Sequence, residues 1–146
     1  VGDAEDLALE EKSFDIVAAF MILEHVKNPG KALNEFYRVL KPKGLVLLTT
    51  VQYWHTHGHP NDYYRFTKEG LKYLCGEAGF EIKKIWSMGG PFLVVFHAIE
   101  LNLPPWLRKF FLLLAPLFNF LDKYFFNHQD KRKLFDSVGW SVLAEK

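Results

Sequence analysis

The sequence predicts an α/β fold, in which helices alternate with the strands of a sheet. Short apolar runs at 14–21 and 45–50 are typical of strands buried on both faces. Stretches with helical spacing separate these runs, so the order strand, helix, strand, helix, strand favours right-handed crossovers. With 146 residues, the chain is long enough for one domain with a core of its own.

The first helix is predicted to begin at Pro29, because Asn28 can cap a helix and proline suits the first helical position. Apolar residues then recur at helical spacing, as in Leu33 and Phe36. The segment "KPKG" at 41–44 is predicted to be a turn that ends this helix, since proline cannot continue it. The second strand follows this turn.

A second helix is predicted from the cap Thr67 to a closing glycine at Gly79. Residues 80–88 predict a third strand, and residues 139–146 predict a fourth. Between these two strands lies a helical Phe-rich insertion, residues 89–136, that prolines break into short helices.

The insertion has three interpretations: a lid over a site or on the sheet, an interfacial membrane element, and a dimer surface. Its longest nearly uncharged run, 110–121, is too short for a bilayer that needs about 20 apolar residues. The membrane interpretation places a peripheral contact at residues 91–128.

Charge and cysteine content exclude several classes of protein. The 18 Lys and Arg nearly balance 17 Asp and Glu, so no nucleic-acid partner is expected. A single cysteine, Cys75, excludes an internal disulfide framework and is predicted to be a buried small hydrophobe. The chain begins with valine, which we interpret as an N-terminal truncation.

Three stretches stand in the order expected of one enzyme family. They are "GDAEDLALEEKSFDIV", "FMILEHVKNPGKALNEFYRVLKPKGLVLLTT" and "HPNDYYRFTKEGLKYLCGEAGF". Together they resemble the class I S-adenosylmethionine-dependent methyltransferases of the methyltransferase type 11 kind. The resemblance implies a partial Rossmann-like sheet, family strands four to seven, because the family's glycine-rich first motif has no counterpart here. Lys43 stands where the family usually has glycine, in a turn.

The resemblance implies S-adenosyl-L-methionine as cofactor. Asp3 would accept a hydrogen bond from the adenine amino group, and the backbone of Ala4 would meet the ring edge. Phe20 and Met21 would contact the methionine moiety at the end of strand four. The alternatives are a solvated loop carboxylate at Asp3 and plain core side chains at Phe20 and Met21.

Methyl transfer to a hydroxyl, phenol or amine needs a base near the acceptor. His25 is one candidate, because histidine titrates near neutral pH; packing or capping at a helix start is the alternative. Within the loop "WHTHGHPNDYYRFT", residues 54–67, His59 and Asp62 are further candidate bases.

The same loop offers three candidates for binding a polar or anionic acceptor, Tyr63, Tyr64 and Arg65. Arg65 is a candidate through its forked N–H donors. Equally, Arg65 can pair with Asp62 and brace the loop. The loop as a whole is either a substrate-facing element or a polar surface loop without chemistry.

The loop's histidines also raise the question of a metal. His55, His57 and His59 alternate, so an extended chain would point all three the same way. Gly58 and Pro60 disfavour a regular strand, and the sequence has no matching Cys/His cluster elsewhere. We therefore expect no bound metal.

The sequence thus predicts a methyltransferase for a small-molecule or glycan- or lipid-linked acceptor, with residues 1–146 alone inactive because half the pocket would be missing. The alternatives are a non-catalytic Rossmann-like binding module, a membrane-surface protein and a metal-dependent hydrolase. We expect a cytoplasmic protein, with peripheral contact at the inner membrane face as an option. The acceptor, the methylated atom and the oligomeric state do not follow from the sequence.

Overall fold

The computed structural model of the chain describes residues 2–58, 61–125 and 137–146. Its strands are β1 (Phe14–Phe20), β2 (Leu40–Val51), β3 (Glu81–Met88) and β4 (Gly139–Glu145). Its α-helices are α1 (Pro29–Val39), α2 (Lys68–Glu77), α3 (Pro91–Asn102), α4 (Pro105–Phe111) and α5 (Ala115–Phe125). Two 3₁₀ turns, Leu23–His25 and Leu112–Leu114, follow β1 and α4.

The four strands form one sheet in the order β1-β2-β4-β3. β1 and β2 are parallel, and β4 is antiparallel to both β2 and β3. The carboxyl ends of β1, β2 and β3 therefore lie at the same edge of the sheet. The predicted α/β class is confirmed, and each predicted strand and helix is present.

Two predicted helix caps are confirmed by their contacts. The side chain of Asn28 accepts a hydrogen bond from the backbone N–H of Lys31, 3.0 Å away. Thr67 accepts from the N–H of Gly70 at the same distance. Each cap satisfies a backbone donor that the first turn of a helix leaves unpaired.

The start of β2 corrects the predicted turn at 41–44. The helix does end after Val39, but β2 already begins at Leu40 and carries "KPKG" within it. Lys43 has a φ of 65°, in the left-handed region, where a side chain is strained. A Cβ on Gly44 would lie 2.9 Å from the Lys41 carbonyl oxygen, so the strand passes too close for a side chain there.

The core lies between the sheet and the helices α1 and α2. Val46 and Leu48 of β2, Leu71 of α2 and Val142 of β4 have no exposed surface. Cys75 is part of this core, as predicted, and its burial raises the pKa of the thiol to about 11. The thiol is therefore inert at neutral pH.

The prediction that β1 is buried on both faces is wrong. Ala19 is buried, but Ile16 is 62% exposed and Phe20 is 52% exposed. The reason is position: within the described part of the chain, β1 pairs with β2 on one side only. One face of β1 packs on the core, and the other remains open.

The Phe-rich helices α3, α4 and α5 have a small core of their own. Phe96 of α3 is buried and stacks on Phe111 with the ring centroids 4.9 Å apart. Phe118 of α5 also meets Phe96, at 5.1 Å. Over the described residues, no helix reaches the length and apolarity that crossing a bilayer requires.

A buried carboxylate fixes α5 to the start of α3. Asp122 of α5 is 1% exposed, and it accepts hydrogen bonds from the backbone N–H groups of Gly90, Phe92 and Leu93 at 2.9, 2.9 and 3.0 Å. A side chain from another helix thus supplies the N-terminal cap that α3 lacks in its own sequence.

Candidate functional site

The candidate site begins at the carboxyl ends of β1 and β2. Phe20 of β1 is in register with Thr49 of β2, and the Met21 N–H donates to the Thr49 carbonyl at 2.9 Å. One residue further along β2, the Thr50 hydroxyl donates to Oε2 of Glu24 at 2.8 Å. Open α/β sheets bind their ligands at this edge.

The polar loop after β2 folds back onto the 3₁₀ turn after β1. Its Tyr63 and Tyr64 N–H groups donate to the carbonyl oxygen of Glu24 at 2.8 and 3.3 Å. Nδ1 of His25 donates to the carbonyl oxygen of Asn61 at 2.7 Å. The ends of the first two strands and the loop therefore converge on one place.

His25 is half-buried and tightly held. Its ring lies edge-on to the ring of His57, with centroids 5.1 Å apart. Gly58, with a φ of 105°, presses on the same ring: a Cβ there would lie 2.6 Å from Cε1 of His25. Its position fits a base at the site, and that role stays a prediction.

Asp62 is committed to contacts within the loop. Its carboxylate receives two N–H groups of Arg65 at 2.6 and 2.7 Å and the His57 backbone N–H at 2.8 Å. The hydrogen bonds from Arg65 hold the pKa of Asp62 well below its ordinary value. A carboxylate in such contacts is a poor base, so the geometry favours the bracing alternative for this pair.

The N–H groups of Arg65 also donate to partners within the loop. Besides Asp62, it donates to the carbonyl oxygens of Trp54 at 3.1 Å, His55 at 2.9 Å and Tyr64 at 2.7 Å. These contacts use all five N–H groups of a guanidinium. The prediction that Arg65 binds an acceptor is thereby disfavoured, and its observed role is to hold the two ends of the loop together.

The other loop candidates are less constrained. Tyr63 and Tyr64 are both exposed, and the Tyr64 hydroxyl donates to the Lys27 carbonyl oxygen at 2.7 Å. Their role in acceptor binding stays a prediction. The candidate base His59 lies outside the described residues.

The predicted adenine-side residues lie beside the start of α1. Asp3 is exposed, and its Oδ1 accepts from the Glu5 N–H at 2.9 Å. Glu5 in turn accepts from the N–H of the cap residue Asn28 at 3.0 Å. Because α1 follows the end of β1, this turn places Asp3 and Ala4 towards the site edge.

Contacts from α1 that the sequence did not predict hold Leu7 and Leu9 in place. Arg38 of α1 donates to the carbonyl oxygens of Leu7 and Leu9, both at 2.9 Å, and Glu35 accepts from the Leu7 N–H at 2.8 Å. The hydrogen bonds from Arg38 lower the pKa of Glu35 to about 2. Glu35 and Arg38 are spaced i, i+3 on α1, and this spacing alone does not predict contacts with residues as distant in the sequence as Leu7 and Leu9.

Phe20 and Met21 are both substantially exposed at the end of β1. Met21 has a φ of 54°, which costs a side-chain-bearing residue about 1–2 kcal/mol. Such strained residues cluster at ligand sites. An exposed carboxylate at Asp3 and these two open apolar side chains fit the adenine and methionine parts of S-adenosylmethionine.

The sequence also missed how the loop meets the insertion. The ring of Trp54 lies against the ring of His97 of α3, with centroids 4.6 Å apart at an angle of 66°. Trp54 is in the site loop, so the Phe-rich helices lie next to the candidate site. No local pattern links two residues 43 positions apart.

Comparison with known proteins shows what the chain is similar to. The methyltransferase domain family matches residues 1–48. The malonyl-acyl-carrier-protein O-methyltransferase of Yersinia pestis is 37% identical over 51 residues, 35% of this chain and 19% of that protein. The ubiquinone biosynthesis O-methyltransferase of Pseudomonas syringae pv. tomato is 41% identical over 49 residues, 33% of this chain and 21% of that protein. The matched segment thus spans about a fifth of either relative.

Solved structures share the fold over nearly the whole chain. The cyclase SpnF superposes with a TM-score of 0.57 at 22% identity, over 99% of this chain and 53% of its own. Phosphoethanolamine N-methyltransferase 2 of Haemonchus contortus, solved with S-adenosyl-L-methionine, gives 0.55 at 24% identity, over 98% of this chain and 35% of its own. Residues 1–48 are thus similar to the methyltransferase domain family, and the chain shares the α/β fold of these solved structures.

Proposed function

We propose that the full-length protein transfers a methyl group from S-adenosylmethionine to an apolar acceptor presented at a lipid surface. The observation that carries this proposal is the contact between Trp54 and His97, which joins the site loop to helices with an apolar outer face. The relative from Pseudomonas syringae is named for ubiquinone biosynthesis, and ubiquinone is itself apolar. That name supports the acceptor class.

The chain's own residues would do most of the positioning. Asp3 and Ala4 would hold the adenine end of the cofactor, and Phe20 and Met21 would cover the methionine end. The cofactor supplies an electrophilic methyl group on a sulfonium. Correct placement of the acceptor alone is worth about 7–11 kcal/mol of barrier.

His25 is the best-placed base for the acceptor. Its Nδ1 donates to the Asn61 carbonyl oxygen, so a neutral ring keeps its lone pair on Nε2. Nε2 is therefore the atom that would take a proton from an acceptor hydroxyl. Asp62 does not compete for this role, because Arg65 already occupies its carboxylate.

The outer face of the insertion is a continuous apolar stripe. From α4 to the end of α5, six apolar residues follow one another at intervals of four and three, the spacing of one helix face. An amphipathic helix normally buries such a stripe, yet every member here is at least half exposed. This apolar stripe consists of Trp106, Phe110, Leu113, Leu117, Phe120 and Tyr124.

Charge around the apolar stripe favours an anionic bilayer over other partners. The two acidic residues of 91–125, Glu100 and Asp122, are buried. Lys109 and Lys123 are exposed beside the stripe. A basic surface with Trp and Phe on its apolar face binds the headgroup region of anionic membranes.

An open pocket beside the apolar stripe offers room for part of an apolar molecule. It has a volume of about 320 Å³ and lies between α3, α4 and the second 3₁₀ turn. Its lining is almost wholly apolar: Ile99, Leu103, Leu107, Phe110, Phe111 and Leu114. An acyl or prenyl chain leaving a membrane would find similar surroundings there.

Transfer of a tritiated methyl group tests this function. Full-length protein is incubated with labelled S-adenosylmethionine and with either the lipid extract or the aqueous extract of its source cells. Label is expected in the lipid fraction. Label that enters only water-soluble products would overturn the lipid acceptor, and no transfer to either extract would overturn the methyltransferase activity.

Variants at the adenine side separate cofactor binding from general damage. Asp3→Ala removes a charged acceptor worth roughly 1.5–3 kcal/mol, so KM for S-adenosylmethionine should rise about tenfold or more. Asp6→Ala, an exposed carboxylate in the same turn, is the matched control and should leave KM unchanged. An unchanged KM in Asp3→Ala would remove Asp3 from the cofactor site.

A further inference from the structure

Three side chains at the site edge are arranged as metal ligands. Glu24 and His25 come from the 3₁₀ turn after β1, and His57 comes from the loop after β2. One carboxylate oxygen and one ring nitrogen from each histidine lie within 4.8 Å of one another. The sequence raised the question of a site formed by His55, His57 and His59. The set described here shares only His57 with that group.

Glu24 provides the strongest evidence for a cation site. The residue has no exposed surface, and its Oε2 accepts from the Thr50 hydroxyl at 2.8 Å. Its Oε1 is buried and has no hydrogen-bond partner among residues 2–58, 61–125 and 137–146. A buried carboxylate oxygen without a partner is costly, and a bound cation would remove that cost.

In both histidines, Nδ1 is held by a backbone carbonyl oxygen. Nδ1 of His25 donates to the Asn61 carbonyl oxygen at 2.7 Å, and Nδ1 of His57 donates to the His55 carbonyl oxygen at 3.1 Å. A carbonyl oxygen accepts only, so each neutral ring carries its lone pair on Nε2. Metal-binding histidines almost always have their second nitrogen fixed by such a bond.

The backbone holds the rings in place before any ligand arrives. Gly58 lies against the His25 ring with no room for a Cβ, and the His57 N–H is fixed by the carboxylate of Asp62 at 2.8 Å. Metal bonds of about 2.0–2.2 Å place donors roughly 3–4 Å apart. The three donor atoms, within 4.8 Å of one another, are therefore already near this spacing.

We propose that Glu24, His25 and His57 bind a divalent transition-metal ion, of the zinc or iron class. Two imidazole nitrogens favour these ions over magnesium and calcium, which prefer oxygen ligands. Three protein ligands leave coordination positions open to an oxygen of the acceptor, so in the metal-bound protein the ion, and not the ligated Nε2 of His25, would activate that oxygen. That use of the metal rests on the proposed function, whereas the binding of the metal does not.

Titration of metal-free, tag-free full-length protein with Zn²⁺ and Co²⁺ tests the site, in the absence of cofactor and acceptor. Equimolar binding is expected by calorimetry, and the visible spectrum of Co²⁺ should show nitrogen ligands. Excess Mg²⁺ should not displace Co²⁺. Since no methyl transfer is measured, failure here is distinct from failure of the proposed function.

Three variants assign the ligands. Glu24→Gln and His57→Gln should each weaken binding by at least the ~10–100-fold that loss of an outer contact costs a metal site. His55→Gln is the matched control, because it changes a neighbouring loop histidine whose contact with His57 uses only the backbone. It should bind as the unsubstituted protein does.

The outcomes are decisive even if Glu24→Gln does not fold, because His57 lies in a partly exposed loop. Equimolar binding that is lost in His57→Gln and kept in His55→Gln supports the proposal. Binding that is absent in the unsubstituted protein, or unchanged in His57→Gln, overturns it.

Discussion

β2 and the helices α4 and α5 are both rich in apolar residues, but they expose them very differently. Val46 and Leu48 of β2 have no exposed surface, whereas Phe110 of α4 is 67% exposed and Leu113 of the following 3₁₀ turn is 75% exposed. In the sheet, burial of apolar area stabilises the fold. On the helices, the same kind of area remains available for a partner. Burial, and not composition, separates residues that fold the protein from residues that remain available for a partner.

Truncating one leucine in each region should give the largest contrast. Leu48→Ala leaves a cavity in the core and should lower the free energy of unfolding by about 2–5 kcal/mol. Leu113→Ala should change it by no more than about 0.5 kcal/mol. Urea denaturation measures both, and equal losses would show that the apolar stripe is part of the folding core.

Removing the carboxylate of Asp122 should show that the helices depend on a polar anchor. Asp122→Ala leaves three backbone N–H groups of α3 without their acceptor, which should cost about 2–3 kcal/mol. Asp15→Ala, which removes an exposed carboxylate paired with Lys41, is the control and should cost less than about 1 kcal/mol. Hydrogen exchange should then show faster exchange at the start of α3 in Asp122→Ala alone.

The pair of Asp62 and Arg65 predicts a pH dependence for the site loop. The pKa of Asp62 is lowered in the fold, so its contribution is fully present above the ordinary value of about 3.9. It is lost as the pH falls below that value towards the lowered pKa. Asp62→Asn should therefore show a shallower loss of stability between neutral pH and pH 3 than the unsubstituted protein.

Urea midpoints at several pH values in that window measure this slope. Asp15→Asn is the control, because its carboxylate is exposed and should leave the slope nearly unchanged. An identical slope in Asp62→Asn would mean that the pair does not hold the loop in solution.

A substitution at the start of β2 should have the smallest effect on stability, and it should stabilise the protein instead of destabilising it. Lys43 is in the left-handed region, so Lys43→Gly should raise the free energy of unfolding by up to about 1 kcal/mol. Gly44→Ala should lower it, since the new Cβ would meet the Lys41 carbonyl oxygen 2.9 Å away. Thermal unfolding compares the two variants. A Lys43→Gly variant that is less stable than the unsubstituted protein would show that the backbone at Lys43 is not strained in solution.

Local signals in the sequence were enough to predict the elements and their order. Asn28 and Thr67 cap helices through their own side chains, and Gly79, with a φ of 92°, closes α2. Each of these effects depends on residues a few positions apart. The convergence of the first two strand ends also followed, because parallel strands end at one edge.

What the sequence did not predict depends on distant contacts. All five donors of Arg65 are used, and one oxygen of Glu24 has no partner among the described residues, only once the loop folds back onto the 3₁₀ turn after β1. Trp54 and His97 meet across two elements with no shared pattern.

Binding of full-length protein to lipid vesicles tests most directly whether the apolar stripe is a membrane-contacting surface. A double substitution, Phe110→Ser with Leu113→Ser, should abolish co-sedimentation with anionic vesicles and leave the free energy of unfolding within about 1 kcal/mol. Tyr73→Ser, at a similarly exposed aromatic residue of α2, should bind vesicles as before. Unchanged vesicle binding in the double variant, or a stable dimer that buries the stripe between two copies, would contradict the account.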